Sequence, residues 1–131
     1  MRVLALDYGS ARCGCALSDP SGTLATPVGA VEQPATRAGL ARIATLVRER
    51  EVERVVIGLP LTLRGEEGSQ ATETRDFAAR LAEELEVPVA LHDERLTTRQ
   101  ARAGLGAADL DSRAAAHLLD AYLAAVARPR R

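Results

Sequence analysis

Three carboxylates stand out by what surrounds them. Asp7 follows the unbroken apolar run Val3-Leu4-Ala5-Leu6 and precedes Tyr8-Gly9-Ser10. Glu94 sits in His92-Asp93-Glu94-Arg95-Leu96-Thr97-Thr98, and Asp111 opens Asp111-Ser112-Arg113-Ala114-Ala115. A four-residue apolar run reads as a strand buried on both faces, so Asp7 is expected where that strand leaves the core. Acids gathered from distant segments repel one another and their pKa values rise, unless a divalent cation holds them together. The pattern points to a metal site if the fold brings the three segments together.

Each acid also has a plainer reading. Asp7 suits the start of a tight turn, although such turns seldom follow a fully buried strand. The pair Asp93-Glu94 suits a solvated connector between a strand and a helix, and the residues alone do not choose between the two acids. Asp111 immediately precedes an Ala-rich amphipathic stretch, where Asp is a preferred N-cap. Capping and metal binding are compatible, and Asp109, two residues earlier, is the alternative ligand.

The elements that must position these acids follow from hydrophobic periodicity. Residues 3–8 form a first strand, and 13–18 return as its hairpin partner. Asp19-Pro20-Ser21-Gly22 is a turn by composition. A third extended segment covers 23–31, weakened by Pro27 and Gly29. Pro34 suits the first turn of a helix over 34–51, with Leu40, Ile43, Ala44, Leu46 and Val47 on one face. Residues 54–59 are a β-branched strand, and 61–69 a loop with Gly65 and Gly68. A helix over about 70–86 buries Phe77, Ala78, Leu81 and Leu85, and 87–91 form a further strand. A short helix is expected over 97–105 and a last one over about 112–127, with Ala115, Leu118, Leu119, Tyr122 and Val126 facing inward. The tail 128–131 is expected to fray.

This order predicts an α/β fold of one domain over 1–131: a mixed five-stranded sheet, the first three strands antiparallel and then two α/β units, with helices on both faces. Functional groups in such sheets collect outside the carboxyl ends of the parallel strands. Asp7, the 60–69 loop and Asp93-Glu94 should therefore share one rim.

Composition narrows the function classes. The chain has 131 residues, 47% hydrophobic and 27% charged, as expected of one soluble globular domain. The N-terminal apolar stretch is too short for a leader or a membrane span and is broken at Asp7, so the expected location is cytoplasmic. The net charge of −1 gives no overall attraction to polyanions. All 17 basic residues are Arg, so any anion is met by guanidinium, the better bidentate partner for phosphate. Cys13 and Cys15 flank Gly14 and point to the same strand face, a poor disulfide geometry. With no further thiol or nearby His to complete a zinc set, they read as small core-facing residues in a reducing compartment. His92 and His117 receive no catalytic role, and His117 falls on the polar side of its helix.

Four blocks, in order along nearly the whole chain, resemble the YqgF family. They are Leu4-Ala5-Leu6-Asp7-Tyr8-Gly9-Ser10-Ala11-Arg12-Cys13-Gly14-Cys15-Ala16-Leu17-Ser18-Asp19; Val56-Ile57-Gly58-Leu59-Pro60-Leu61 leading to Gly65 and Gly68-Ser69-Gln70-Ala71; Leu91-His92-Asp93-Glu94-Arg95-Leu96-Thr97-Thr98; and Asp111-Ser112-Arg113-Ala114-Ala115-Ala116-His117-Leu118-Leu119. The third is the most specific. The family comprises RNase H-like proteins described as Holliday-junction resolvases and as nucleases that mature the 5′ end of 16S ribosomal RNA. One stretch departs from it: family members commonly carry a longer, basic segment between the Thr-Thr block and the final acid, where residues 99–110 here are short and mostly Ala and Gly.

The resemblance implies a nuclease whose Asp7, Glu94 and Asp111 bind Mg²⁺ or Mn²⁺, and it selects Glu94 over Asp93. In a two-metal arrangement Asp7 bridges the ions, and Glu94 and Asp111 hold one each. Arg12 or Arg95 then pairs with the scissile or a flanking phosphate, and Arg64 is a further candidate contact. Arg95, Arg99 and Arg102 recur at helical spacing, either as a phosphate-tracking stripe or as a solvated face. Gly9 lets the backbone approach the metal or phosphate closely. The implied partners are RNA or DNA and ribosomal precursor particles, with no membrane, and with monomer and homodimer both open. Two other classes compete. An ATP-binding sugar-kinase or actin-like domain shares the strand and Asp-x-Gly turn, but needs two such folds facing a cleft. A non-catalytic RNA-binding ribosome-assembly module has no evident need of all three acids.

Overall fold

Two long-range strand pairings decide the architecture. In the computed structural model, which describes residues 1–62, 64–93 and 107–126, β1 (Val3–Asp7), β2 (Arg12–Ser18) and β3 (Ala25–Glu32) make an antiparallel meander. Helix α1 (Arg37–Glu49) leads into β4 (Arg54–Leu59), and α2 (Ser69–Glu84) into β5 (Val89–Asp93). The described chain ends with α3 (Ala107–Val126). The sheet order is β3-β2-β1-β4-β5. β4 runs parallel to β1 with Leu6 beside Ile57, and β5 runs parallel to β4 with Leu59 beside Asp93. The carboxyl ends of β1, β4 and β5 therefore lie along one edge, as the α/β crossovers require.

β1 is buried along its whole length because both faces of the sheet are covered. Leu4 and Leu6 join Leu40, Ile43 and Val47 of α1 and Phe77, Ala78 and Leu81 of α2 on one face. Val3 and Ala5 meet Ala115, Leu118, Leu119 and Tyr122 of α3 on the other. The alternation of β1 thus divides its side chains between two cores. Cys13 and Cys15 are both buried and unbridged on the first of these faces. Among the described residues, no helix is long and apolar enough to cross a membrane.

Several boundaries differ from expectation for local reasons. Helix α1 starts after Thr36, whose Oγ1 accepts from the Gly39 N–H at 3.1 Å, so Pro34 precedes the cap instead of occupying the first turn. Pro88 has no N–H for the ladder and contributes only its carbonyl, which accepts from Val55 N at 3.0 Å. β5 consequently begins at Val89 and carries Asp93 as its last residue. Edge strand β3 accommodates Pro27 opposite Ala16, where the register shifts.

The largest shift is in α3, which begins at Ala107 and not near Ser112. Ala107, Ala108 and Leu110 are strong helix formers and extend the helix by more than a turn. Asp111 is therefore inside the helix and does not cap it. Ser112 is also occupied elsewhere: its Oγ accepts from the Gly29 N–H at 3.3 Å. At the far end Val126 is 52% exposed, contrary to the expected inward face.

Candidate active site at the carboxyl edge of the sheet

Asp7 closes β1 and is 9% exposed, a carboxylate set at the rim of the core. Its register partner across the hairpin is Gly14. Helix α3 lands on that glycine. A Cβ added to Gly14 would stand 1.8 Å from the Asp111 carbonyl oxygen and 2.9 Å from its Cα. The missing side chain lets the helix backbone press against the strand pair, so Asp111 comes to the position beside Asp7's partner. A glycine inside a strand signals such close approach, and Gly14 between Cys13 and Cys15 is that signal in the sequence.

The Asp111 carboxylate is held by Arg12, the first residue of β2, whose Nε donates to Oδ2 at 2.8 Å. This guanidinium, expected as a phosphate contact, thus has an acidic partner in the structure. Cys13, next to Gly14 in β2, is buried on the opposite face of the sheet from α3. Its thiol is pushed well above its usual value by its hydrogen bond with Cys15 and by burial, with the charges of Cys15, Asp7 and Asp111 adding to the effect. It stays protonated, and hard oxygen donors are what the site presents.

The residues after Asp7 are fixed to α2. Tyr8 stacks on Phe77 with ring centroids 4.5 Å apart and planes 25° apart. Burial, followed by the nearby Glu73 carboxylate, raises the Tyr8 hydroxyl above its ordinary value. Gly9 is constrained by the turn itself: a Cβ there would meet the Arg12 carbonyl oxygen at 2.8 Å. Its small size serves the tight return from β1 to β2.

The loop after β4 folds back on itself. Thr62 N donates to Glu66 O at 2.9 Å, Gly65 N donates to Thr62 O at 2.8 Å, and Leu61 bridges to Glu67. Gly65 has φ of 82°, which a side chain would disfavour. Arg64 is exposed in this turn. Arg75 of α2 grips Glu67 through Nε at 2.7 Å and Nη2 at 2.6 Å, which anchors the loop and lowers the Glu67 pKa.

Glu94, Arg95, Arg99, Arg102 and the expected 97–105 helix lie outside the described residues, as does the Asp109 side chain. Among the described residues no three His, Cys, Asp or Glu side chains converge as a metal cluster. The structure brings Asp7 and Asp111 together through Gly14, and it ends β5 at Asp93 on the same edge, immediately before Glu94.

The model of the RuvX family, described as a Holliday junction resolvase, matches residues 1–127. The chain belongs to the RuvX (YqgF) family. It is 39% identical over 132 aligned residues to the "Putative pre-16S rRNA nuclease" of Syntrophomonas wolfei, covering 94% of each chain. The protein of the same name from Anaeromyxobacter is 44% identical over 126 residues, covering 96% of this chain and 92% of the relative. RuvC of Thermus thermophilus superposes with a TM-score of 0.60 at 19% identity, covering 96% of each chain. A fowlpox virus resolvase solved with Holliday junction DNA gives a TM-score of 0.60 at 11% identity, over 98% of this chain and 100% of that one. These two establish the RNase H-like fold of this RuvX member, as its sheet order and helix placement had indicated.

Proposed function

We propose that this RuvX protein is a metal-dependent nuclease that hydrolyses phosphodiester bonds, acting in 5′-end maturation of 16S ribosomal RNA or on branched DNA intermediates. The observation that carries the proposal is the contact of Asp111 with Gly14, the strand partner of Asp7. It joins two acids from opposite ends of the chain at the edge where α/β sheets bind ligands.

The donor set fits Mg²⁺ or Mn²⁺. Both are hard cations that take carboxylate oxygens and retain waters, and Asp7 and Asp111 offer such oxygens at a partly open edge. Glu94, next in sequence after the end of β5, is the proposed third ligand. Bound ions in such a site lower the pKa of water and neutralise charge on the phosphate being cleaved. Asp7 is held by β1 and Asp111 by α3, so both carboxylates are set on rigid elements. Arg64, exposed in the loop that follows β4, is proposed to meet substrate backbone, with Arg95, Arg99 and Arg102 extending that contact. The relatives' names as pre-16S rRNA nucleases support RNA as one substrate class, and the family's description as a Holliday junction resolvase supports four-way DNA junctions as the other.

The test is a cleavage assay on a 16S precursor 5′ segment, single-stranded DNA and a four-way junction, each with Mg²⁺, Mn²⁺ or a chelator. Cleavage of at least one substrate that stops with the chelator is expected. Binding of nucleic acid without cleavage under any metal would make the protein a ribosome-assembly or junction-binding module instead.

A further inference from the structure

We infer that Arg12 is a resident counter-cation for Asp111, which an incoming divalent ion displaces toward Glu32. This inference rests on the metal-site reading above. Arg12 and Asp111 are 99 residues apart in sequence, yet Nε and Oδ2 meet at 2.8 Å. The contact engages one carboxylate oxygen through one guanidinium nitrogen, short of the bidentate grip that Arg75 takes on Glu67.

Neither partner is buried: the side chains are 35% and 27% exposed. A pair so placed is screened by water and weak. A fully buried pair would be costly to break, because each charge would be left without a partner in a low dielectric. Asp111 packs on Gly14, the strand partner of Asp7, so the two acids belong to one small region of the sheet edge. Arg12 supplies the positive charge there.

Its backbone does not need to move for displacement. Arg12 is held in β2 opposite Glu32, and the Ala11 carbonyl accepts from Gln33 N at 2.8 Å. Asp111 is fixed by its contact with Gly14. Only the Arg12 side chain must turn, and Glu32 across the strand already attracts it. The guanidinium is thus bonded to Asp111 inside the proposed metal site and has Glu32 as its register neighbour beside it.

Competition makes a specific prediction for the ion alone. Mn²⁺ is titrated by calorimetry into the wild type, Arg12→Gln, Arg12→Lys, Asp111→Asn and the Arg12→Gln/Asp111→Asn double variant, without nucleic acid. Arg12→Gln should tighten Mn²⁺ binding by a factor of about 1.4 to 5, the range spanned by exposed ion pairs. Arg12→Lys should fall between it and the wild type, and carries the test if the Gln variant lacks a cooperative melt. The tightening should disappear when Asp111 is already Asn. Unchanged or weaker binding in the Arg12 variants would overturn the inference and make Arg12 an organiser of the site. Equal tightening with and without the Asp111 carboxylate would also overturn it, leaving only a general charge effect. Failure of the wild type to bind Mn²⁺ would remove the metal reading together with this one.

Discussion

The carbonyl oxygen of Asp111 occupies the space that a side chain at Gly14 would need, 1.8 Å from the position of its Cβ. The obstruction is backbone, which cannot rotate away as the end of a flexible side chain can. Gly14→Ala must therefore push α3 off the sheet at the point where Asp111 is positioned. Overpacking of this kind costs about 1–3 kcal/mol and sometimes more. We expect a lower urea midpoint, and a loss of cleavage larger than the stability loss explains. Wild-type stability and activity in this variant would mean that α3 does not press on β2.

Asp7→Asn preserves shape and removes charge. On the nuclease reading, cleavage falls by orders of magnitude with Mg²⁺ or Mn²⁺, because the proposed bridging carboxylate is gone. The melting temperature without metal should hold or rise, since a charge that repels Asp111 has been removed. Normal cleavage by the folded variant would exclude Asp7 as a ligand.

Asp111 lies inside α3, so its replacement has no capping cost. Asp111→Asn and Asp111→Ala should both melt near the wild type, losing only the partly exposed contact with Arg12. Alanine is the better helix former of the two. Both should lose metal-dependent cleavage. Thermal melts paired with cleavage rates check this, and full activity in either would move the ligand role of Asp111 to Asp109.

The Asp19 turn gives an acid-side prediction away from the site. The Asp19 carboxylate accepts from Leu24 N at 2.9 Å and Thr23 N at 2.8 Å, and from the Ser21 hydroxyl. These bonds, led by the one from Leu24, hold its pKa far below the ordinary carboxylate range. The stability they give is complete above the unfolded value of about 4 and is lost as pH falls toward the depressed folded one. Melts of wild type and Asp19→Asn between neutral and acid pH should therefore converge as pH falls. A constant difference across that range would show that the carboxylate's charge is not what holds the turn.

The strands and the edge that carries Asp7 were legible because continuous apolar runs have one economical reading in an α/β chain. Val3 to Leu6 and Val55 to Ile57 are buried on both sides, and nothing polar competes for those positions. Asp111 was misread because its local chemistry was ambiguous: Asp before an Ala-rich stretch suits a cap as well as a helix interior. The Ala-rich residues 107–110 decide for the interior, and where Asp111 then stands is tertiary, set by the close approach of α3 to Gly14, on which no periodicity within 107–126 reports. The Arg12 contact was hidden for the same reason, since its partner is 99 residues away. The start of β5 turns on Pro88, whose missing N–H outweighs the apolar character of Val87.

Because α3 covers its face of the sheet, the order of synthesis has a consequence. A nascent chain that has reached Asp93 can already pair all five strands and dock α1 and α2, yet Val3, Ala5, Ala16 and Val56 still await the helix that covers them. That exposed face is the kind of surface that chaperones hold and that aggregates when left waiting. Asp111 rides on the same late helix. On the nuclease reading, a nascent chain that has not yet reached α3 therefore lacks one of its acids.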